Sequence, residues 1–181
     1  MSSLIDDASQ PSLRVHIGRL LSTCARADIA VGHVRLSALD LAGDETRGIQ
    51  QCRILLGRLE ARALTDFGFV DERSDERLYG LLEFLGSGRV EIRSAGLGAW
   101  SPDFSIYRGL SATAHDGACL IGAHYFRDPI TANGPSFTAL LDDADSVERA
   151  LGRFEALWER SHDVLEPVIA AIRQRHSFSA A

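Results

Sequence analysis

The chain has 181 residues, of which 45% are hydrophobic, and a formal net charge of −6 from 19 arginines against 25 acidic residues. This length and composition predict one globular domain with a core of its own and exclude a disordered chain. The acidic balance argues against strong, sequence-independent capture of nucleic acid, which requires clustered positive charge, but leaves room for a local basic patch.

The first half of the chain alternates predicted helices and strands. Residues 1–10 are polar and predict a flexible tail, and apolar residues at helical spacing predict a helix from Pro11 to about Cys24. Short apolar runs predict buried strands at Asp28–Gly32 and Cys52–Leu56. The pattern further predicts three elements: a short helix capped by Ser37 over Ala38–Leu41, a loop at Gly43–Glu45, and a helix over about Glu72–Leu85.

The second half brings several predicted strands close together: Val90–Arg93, Phe104–Tyr107, Ala118–Ile121 and Phe137–Leu141. Asp145 or Ser146 is then expected to cap a long helix. Its apolar stripe contains Val147, Leu151, Phe154, Leu157 and Trp158. Pro167 predicts a break or kink before a last apolar stripe of Val168, Ile169 and Ile172.

This order of elements predicts an α/β fold with a mixed central β-sheet flanked by helices on both faces. The predicted domain covers residues 11–176, and residues 177–181 are predicted to form a second tail. No apolar stretch approaches the roughly 20 residues of a membrane span, and the N-terminus is unlike a signal peptide, so a cytoplasmic location is expected without membrane partners.

The three cysteines, Cys24, Cys52 and Cys119, have a number and spacing that predict neither a disulfide framework nor a zinc site. Buried free thiols are the expected state, since Cys52 and Cys119 lie in apolar runs.

An acidic run suggests a metal site at first sight. Its members are Asp142, Asp143 and Asp145. We interpret it instead as the solvated start of a helix, where negative charge is favourable. No metal and no cofactor are therefore expected.

Four segments carry the most specific pattern in the chain. They are DIAVGHVRLSAL from Asp28, CRILLGR from Cys52, WSPDFSIYRG from Trp100 and ACLIGAHYF from Ala118. Together they resemble the phospholipase D-like phosphodiesterase superfamily, in the single-motif branch found among restriction nucleases and beside helicases. The resemblance covers about residues 25–162 and implies a phospholipase D-like sandwich.

In this family two motifs meet at one site, from one chain or from a dimer. One histidine attacks phosphorus and the other protonates the leaving group, while lysine and asparagine hold the phosphate oxygens. Single-motif members pair through the motif face, so the resemblance implies a homodimer.

The third segment lines up with the family pattern F-H-P-K-L-Y-L-F-R-G, which places Ser101 at the histidine and Asp103 at the lysine. The fourth lines up with A-I-I-G-S-x-N-L, so Ala123 replaces serine and Tyr125 replaces asparagine. Pro102 and the Arg108-Gly109 pair at the end of the third segment fix this register. A hydroxyl without a base is a poor nucleophile, and a carboxylate repels a phosphodiester, so ordinary family catalysis is expected to be lost.

The leading hypothesis is a catalytically degenerate domain that serves as a dimerising or partner-docking accessory subunit in nucleic-acid processing or defence. A helicase or nuclease subunit would be such a partner. The alternative is a phosphodiesterase or nuclease with a rebuilt site, in which His124 is the nucleophile and Asp116 orients His115. Against it, His115 and Asp116 also fit a turn before a strand, and His124 a strand end. A ligand or nucleic-acid sensor is a third hypothesis.

The arginines near the strands have two interpretations. Arg53, Arg58 and Arg93 could line a phosphate-binding groove, but surface charges paired with acidic neighbours are favoured. Trp100 and Trp158 are interpreted as core residues in preference to interface anchors.

Overall fold

The computed structural model describes residues 3–6, 13–32, 46–57, 74–96, 103–110, 116–122 and 137–179. In chain order their elements are β1 (Ser3–Asp6), α1 (Leu13–Thr23), β2 (Arg26–Val31), β3 (Gln51–Leu56), α2 (Ser74–Leu85), β4 (Val90–Ser94), β5 (Phe104–Arg108), β6 (Gly117–Ile121), β7 (Phe137–Leu141), α3 (Ala144–Trp158), β8 (His162–Asp163) and α4 (Leu165–Ser179). None of these helices has the length and apolarity that crossing a membrane requires.

The described strands form one mixed sheet in the order β1-β7-β6-β5-β2-β3-β4-β8. The three strands β2, β3 and β4 run parallel, and every other neighbouring pair is antiparallel. Because the carboxyl ends of parallel strands meet at one edge, β2, β3 and β4 end together there, beside the start of β5.

Side chains alternate between the two faces of the sheet and so build two cores. In β2, Ala27, Ile29 and Val31 enter the first core, where α1, α2 and α4 contribute Ile17, Leu21, Leu81, Leu85, Val168 and Ile172. The opposite face packs against α3. This second core contains Ala30, Leu55, Phe104, Ile106, Cys119, Val147, Phe154, Leu157 and Trp158. The predicted mixed sheet with helices on both faces is confirmed.

The ends of the chain differ from the predicted tails. Ser3–Asp6 form an edge strand that pairs antiparallel with β7, and α4 continues to Ser179. A four-residue strand is too short to show a hydrophobic period, and its partner lies about 130 residues away. The predicted helix at 38–41 and the loop at 43–45 lie outside the described residues.

Two details around α3 also differ from prediction. The cap is Asp143, not Asp145 or Ser146: its carboxylate accepts a hydrogen bond from the Ser146 amide at 2.9 Å. Its extended backbone continues β7 directly into the helix, and the hydrogen bonds from Ser146 lower the pKa of this carboxyl. Pro167 does not kink one long helix, because β8 separates α3 from α4. Pro167 lies in the first turn of α4, where a backbone N–H has no partner within the helix and its absence costs nothing.

Candidate functional site

The described part of the predicted motif segment begins with Asp103, at the edge where β2, β3 and β4 end. Asp103 directly precedes β5, and the next residue, Phe104, pairs with Ala30 of β2 and Ile121 of β6. We call this edge the motif edge. Of the replaced motif positions, Asp103 is described, whereas Ser101, Ala123 and Tyr125 lie outside the described residues.

Asp103 is turned into the protein at this edge. Only 3% of its surface is exposed, and its Oδ1 accepts a hydrogen bond from the Gly32 amide at 2.7 Å. Its backbone carbonyl accepts a second one from the Gly122 amide at 2.8 Å. Gly122 has a φ of 80°, a left-handed conformation that glycine adopts without strain. Asp103 thus links the ends of β2 and β6, through its carboxylate to Gly32 and through its backbone carbonyl to Gly122.

Of the residues of the alternative site, Asp116 is described and directly precedes β6. Asp116 is exposed, and its carbonyl accepts a hydrogen bond from the Gly109 amide at the end of β5 away from the motif edge. Gly122, at the motif edge, is six residues further, which corresponds to roughly 20 Å of extended strand. His115 and His124 lie outside the described residues. The structure therefore places Asp116 far from Asp103.

A buried charge network lies under α3, on the face of the second core. Asp28 is 1% exposed; its Oδ1 accepts from Arg53 Nε and its Oδ2 from Arg108 Nη2, each at 2.6 Å. Arg53 also donates through Nη1 and Nη2 to the two carboxylate oxygens of Glu155, at 3.1 and 2.7 Å. Two guanidinium groups thus meet two carboxylates, and the network has no net charge.

Strand register creates this network. Asp28 lies opposite Arg53 in the neighbouring strand β3, and Arg108 lies diagonally across in β5. Arg53 also stacks on the second core, with its guanidinium carbon 4.9 Å from the ring centroid of Phe154. Burial alone would lower the pKa of Arg53, but the hydrogen bonds that Arg53 donates to Glu155 and Asp28 raise it above its ordinary value. Arg53 therefore stays charged.

Arg93 occupies the same face one strand further out. Its guanidinium carbon lies 4.6 Å above the ring centroid of Trp158, and its Nη1 donates to the Trp158 carbonyl at 3.4 Å. Trp158 is buried in the second core, as predicted. Arg53 is paired with acidic neighbours, as favoured above, although Arg53 and Asp28 are largely buried rather than at the surface. Arg93 packs on Trp158 instead. Arg58 and Trp100 lie outside the described residues.

The thiols are unsuited to nucleophilic chemistry. All three cysteines are free and buried, as expected. Burial raises the pKa of Cys24 to about 11 and that of Cys119 to about 12, and it raises the pKa of Cys52 as well. These thiols are protonated at neutral pH, so they are not activated nucleophiles. The described residues also contain no group of three or more His, Cys, Asp or Glu side chains arranged to hold a metal ion.

The sequence interpretation missed Asp28, Arg108 and Glu155 as members of a network. A usable signal was present: Asp28 and Arg53 interrupt apolar strand runs, and charges in such runs must be paired. The sequence does not show which residues pair, because Arg108 lies 80 residues from Asp28 and Glu155 lies 102 residues from Arg53 along the chain.

No protein-family model and no curated protein sequence matches the chain. Solved structures do match. Nuc from Salmonella typhimurium, a phospholipase D family member, is 11% identical with a TM-score of 0.55, and 90% of this chain covers 97% of it. NucT from Helicobacter pylori is 12% identical with a TM-score of 0.58, and 90% of this chain covers 98% of it.

A third similar structure is TrmBL2, described as an archaeal chromatin protein with a novel mode of DNA binding. It is 13% identical with a TM-score of 0.54, and 90% of this chain covers 54% of it, so the chain spans about half of that protein. At these identities the likeness concerns the fold. The mixed sheet with helices on both faces agrees with it: the chain has the phospholipase D-like fold.

Proposed function

We propose that the protein is a non-catalytic phospholipase D-like accessory domain that forms a homodimer through the motif edge and docks a partner in nucleic-acid processing or defence. The observation that carries this proposal is Asp103, which stands at the lysine position of the motif and is buried against the Gly32 amide. Its carboxylate has a structural task at the place where the family needs a phosphate-binding cation.

The electrostatic consequence is large. Two unit charges about 4 Å apart interact by about 4 kcal/mol at the effective dielectric constant near a protein surface. An ammonium group attracts the negative charge of a phosphodiester, whereas a carboxylate in its place repels that charge. The arginines beneath α3 do not compensate, because the charges of Arg53 and Arg108 are matched by Asp28 and Glu155.

The similar structures support the nucleic-acid setting. TrmBL2 is described as a chromatin protein that binds DNA, and Nuc as a phospholipase D family member. The same fold thus occurs in a DNA-binding protein and in a family of phosphodiesterases. The net charge of −6 favours a protein partner over direct contact with nucleic acid for this chain.

A hydrolysis assay tests the loss of catalysis. The purified chain is incubated with bis(p-nitrophenyl) phosphate, single- and double-stranded DNA, and RNA, with a catalytically intact phospholipase D-like nuclease as positive control. We expect no turnover above the buffer. Hydrolysis that disappears in Ser101→Ala or Asp103→Ala would overturn the proposal, and hydrolysis that disappears in His124→Ala would favour the rebuilt site.

Spin-label distances test the dimer. Ala95 follows β4 at the motif edge, whereas Leu110 follows β5 at the opposite edge and is 78% exposed. The native thiols are buried, so Ala95→Cys and Leu110→Cys can be labelled selectively. We expect a dimer by sedimentation, with a short inter-subunit distance for Ala95→Cys and a long one for Leu110→Cys. A monomer, or the reverse order of distances, would refute this mode of pairing.

A further inference from the structure

Helix α3 borders a groove on the side away from the charge network. The groove has a volume of about 310 Å³ and an apolar floor formed by Phe104, Ile121 and Leu141. Ile121 is the last residue of β6, and Leu141 is the last residue of β7. Ala150 of α3 continues the apolar lining. This volume lies within the range of pockets that hold small molecules.

Two arginines of α3 line the same groove, one helical turn apart. Arg149 and Arg153 are both exposed, and neither forms a salt bridge or hydrogen bond with a described residue. The residues three and four positions from Arg153 are Arg149, Ala150, Ala156 and Leu157, so no helical neighbour supplies a carboxylate. Like charges at this spacing destabilise a helix slightly.

The arrangement combines an apolar floor with two unmatched cations at its rim, in a protein that is acidic overall. A guanidinium group binds carboxylate or phosphate through two parallel hydrogen bonds, and the pair can hold one anionic head between them. Asp145 lies one turn before Arg149 but forms no salt bridge with it among the described residues, so both guanidinium groups stay available.

We propose that this groove binds a small amphipathic anion, with its carboxylate or phosphate head on Arg149 and Arg153 and its apolar body on Phe104, Ile121 and Leu141. The groove adjoins the motif edge, but Asp103 and the residues of the Asp28 network do not line it, so its binding of an anion does not depend on the proposed function. The groove is short: Ser146 and Arg153, which line it from one end to the other, are roughly 10 Å apart along the helix. That length suits a small molecule better than a partner helix.

Calorimetric titration of the full chain tests the site with octanoate, octyl phosphate and, as a neutral counterpart, 1-octanol. We expect one saturable site for at least one of the two anions and weaker binding of 1-octanol. Arg149→Gln/Arg153→Gln should weaken binding of the anion at least tenfold and leave 1-octanol unchanged. The double variant Arg19→Gln/Arg160→Gln removes the same charge from exposed positions outside the groove and should bind like the parent.

Methyl resonances locate the ligand. Those of Ile121 and Leu141 should shift on titration, while those of Ile17 and Leu21 in the first core should not. Flotation with phosphatidylglycerol vesicles distinguishes binding of a free amphiphile from binding to a membrane surface. Failure of both anions to bind, equal binding by the Arg149/Arg153 variant, or binding to vesicles alone would overturn the proposal, as would equal losses in both double variants.

Discussion

The arginines on the two flanks of helix α3 have different surroundings. On the flank toward β3, Arg53 is half-buried, is fixed by Asp28 and Glu155, and stacks on the ring of Phe154. On the flank toward β7, Arg149 and Arg153 extend to solvent beside an apolar groove, without a salt bridge to any described residue. The comparison separates cations that hold the fold together from cations that are available to a ligand.

The difference has a physical origin. A buried charge must be paired, because removing its partner leaves an uncompensated ion in a medium of low dielectric constant. An exposed arginine is solvated by water, so the absence of a partner has little effect on stability. Substitutions on the β3 flank should therefore destabilise the protein strongly, and substitutions on the β7 flank should leave stability unchanged.

The largest effect is expected for Asp28→Ala. The substitution leaves Arg53 and Arg108 buried without the carboxylate that they share, which should lower the free energy of unfolding by about 3–5 kcal/mol. Urea denaturation measures this change. Glu148→Ala, which removes an exposed carboxylate of α3, should stay within about 0.5 kcal/mol. A loss below 1 kcal/mol for Asp28→Ala would show that the network does not hold the strands together.

The next effect concerns the close approach of α3 to β6. A Cβ atom at Gly117 would lie 2.9 Å from Val147 Cγ1, nearer than carbon atoms normally approach. Gly117→Ala should therefore destabilise the protein by about 1–3 kcal/mol. Gly152→Ala is the matched control, because no atom lies within 4 Å of its added Cβ. This control should stabilise the helix by about 0.5–1 kcal/mol. Equal melting temperatures for the two variants would contradict the prediction.

A smaller loss, about 1 kcal/mol, is expected for Glu155→Ala. The Glu155 side chain is 42% exposed, and Arg53 keeps Asp28 and the Phe154 ring after the substitution. The double variant Asp28→Ala/Glu155→Ala tests whether the groups act as a unit: because both carboxylates bind Arg53, their effects should not be additive. Additive losses in urea denaturation would indicate two independent pairs.

Local pattern predicted most of the fold in this chain. Strands β2 to β7 and all four helices follow apolar periods that are visible in the sequence, and β7 has its predicted bounds Phe137–Leu141. The two missed strands, β1 and β8, have four and two residues, too few for a period, and each depends on a distant partner. The sheet order that joins Asp28 to Arg108 is equally non-local.

The same limit applies to the sites. The sequence pattern predicted a strand that begins at Phe104, directly after Asp103, but not the burial of Asp103 against Gly32. The groove depends on where α3 crosses β6 and β7. Arg149 and Arg153 have an ordinary exposed helical pattern in the sequence, so only the packed structure places them beside Ile121 and Leu141.

The smallest effect is expected for Arg153→Gln, and it tests the comparison from the other side. Arg153 has no carboxylate three or four residues away and a like charge at Arg149. Removing it should change the free energy of unfolding by less than about 0.5 kcal/mol, toward greater stability, since a repulsive pair disappears. Arg53→Gln, measured alongside in urea, should lose several times that amount because buried Asp28 would lose one of its two cationic partners and keep only Arg108. If Arg153→Gln instead destabilised the protein by more than 1 kcal/mol, the arginine would have a structural role, and the two flanks would not differ as described.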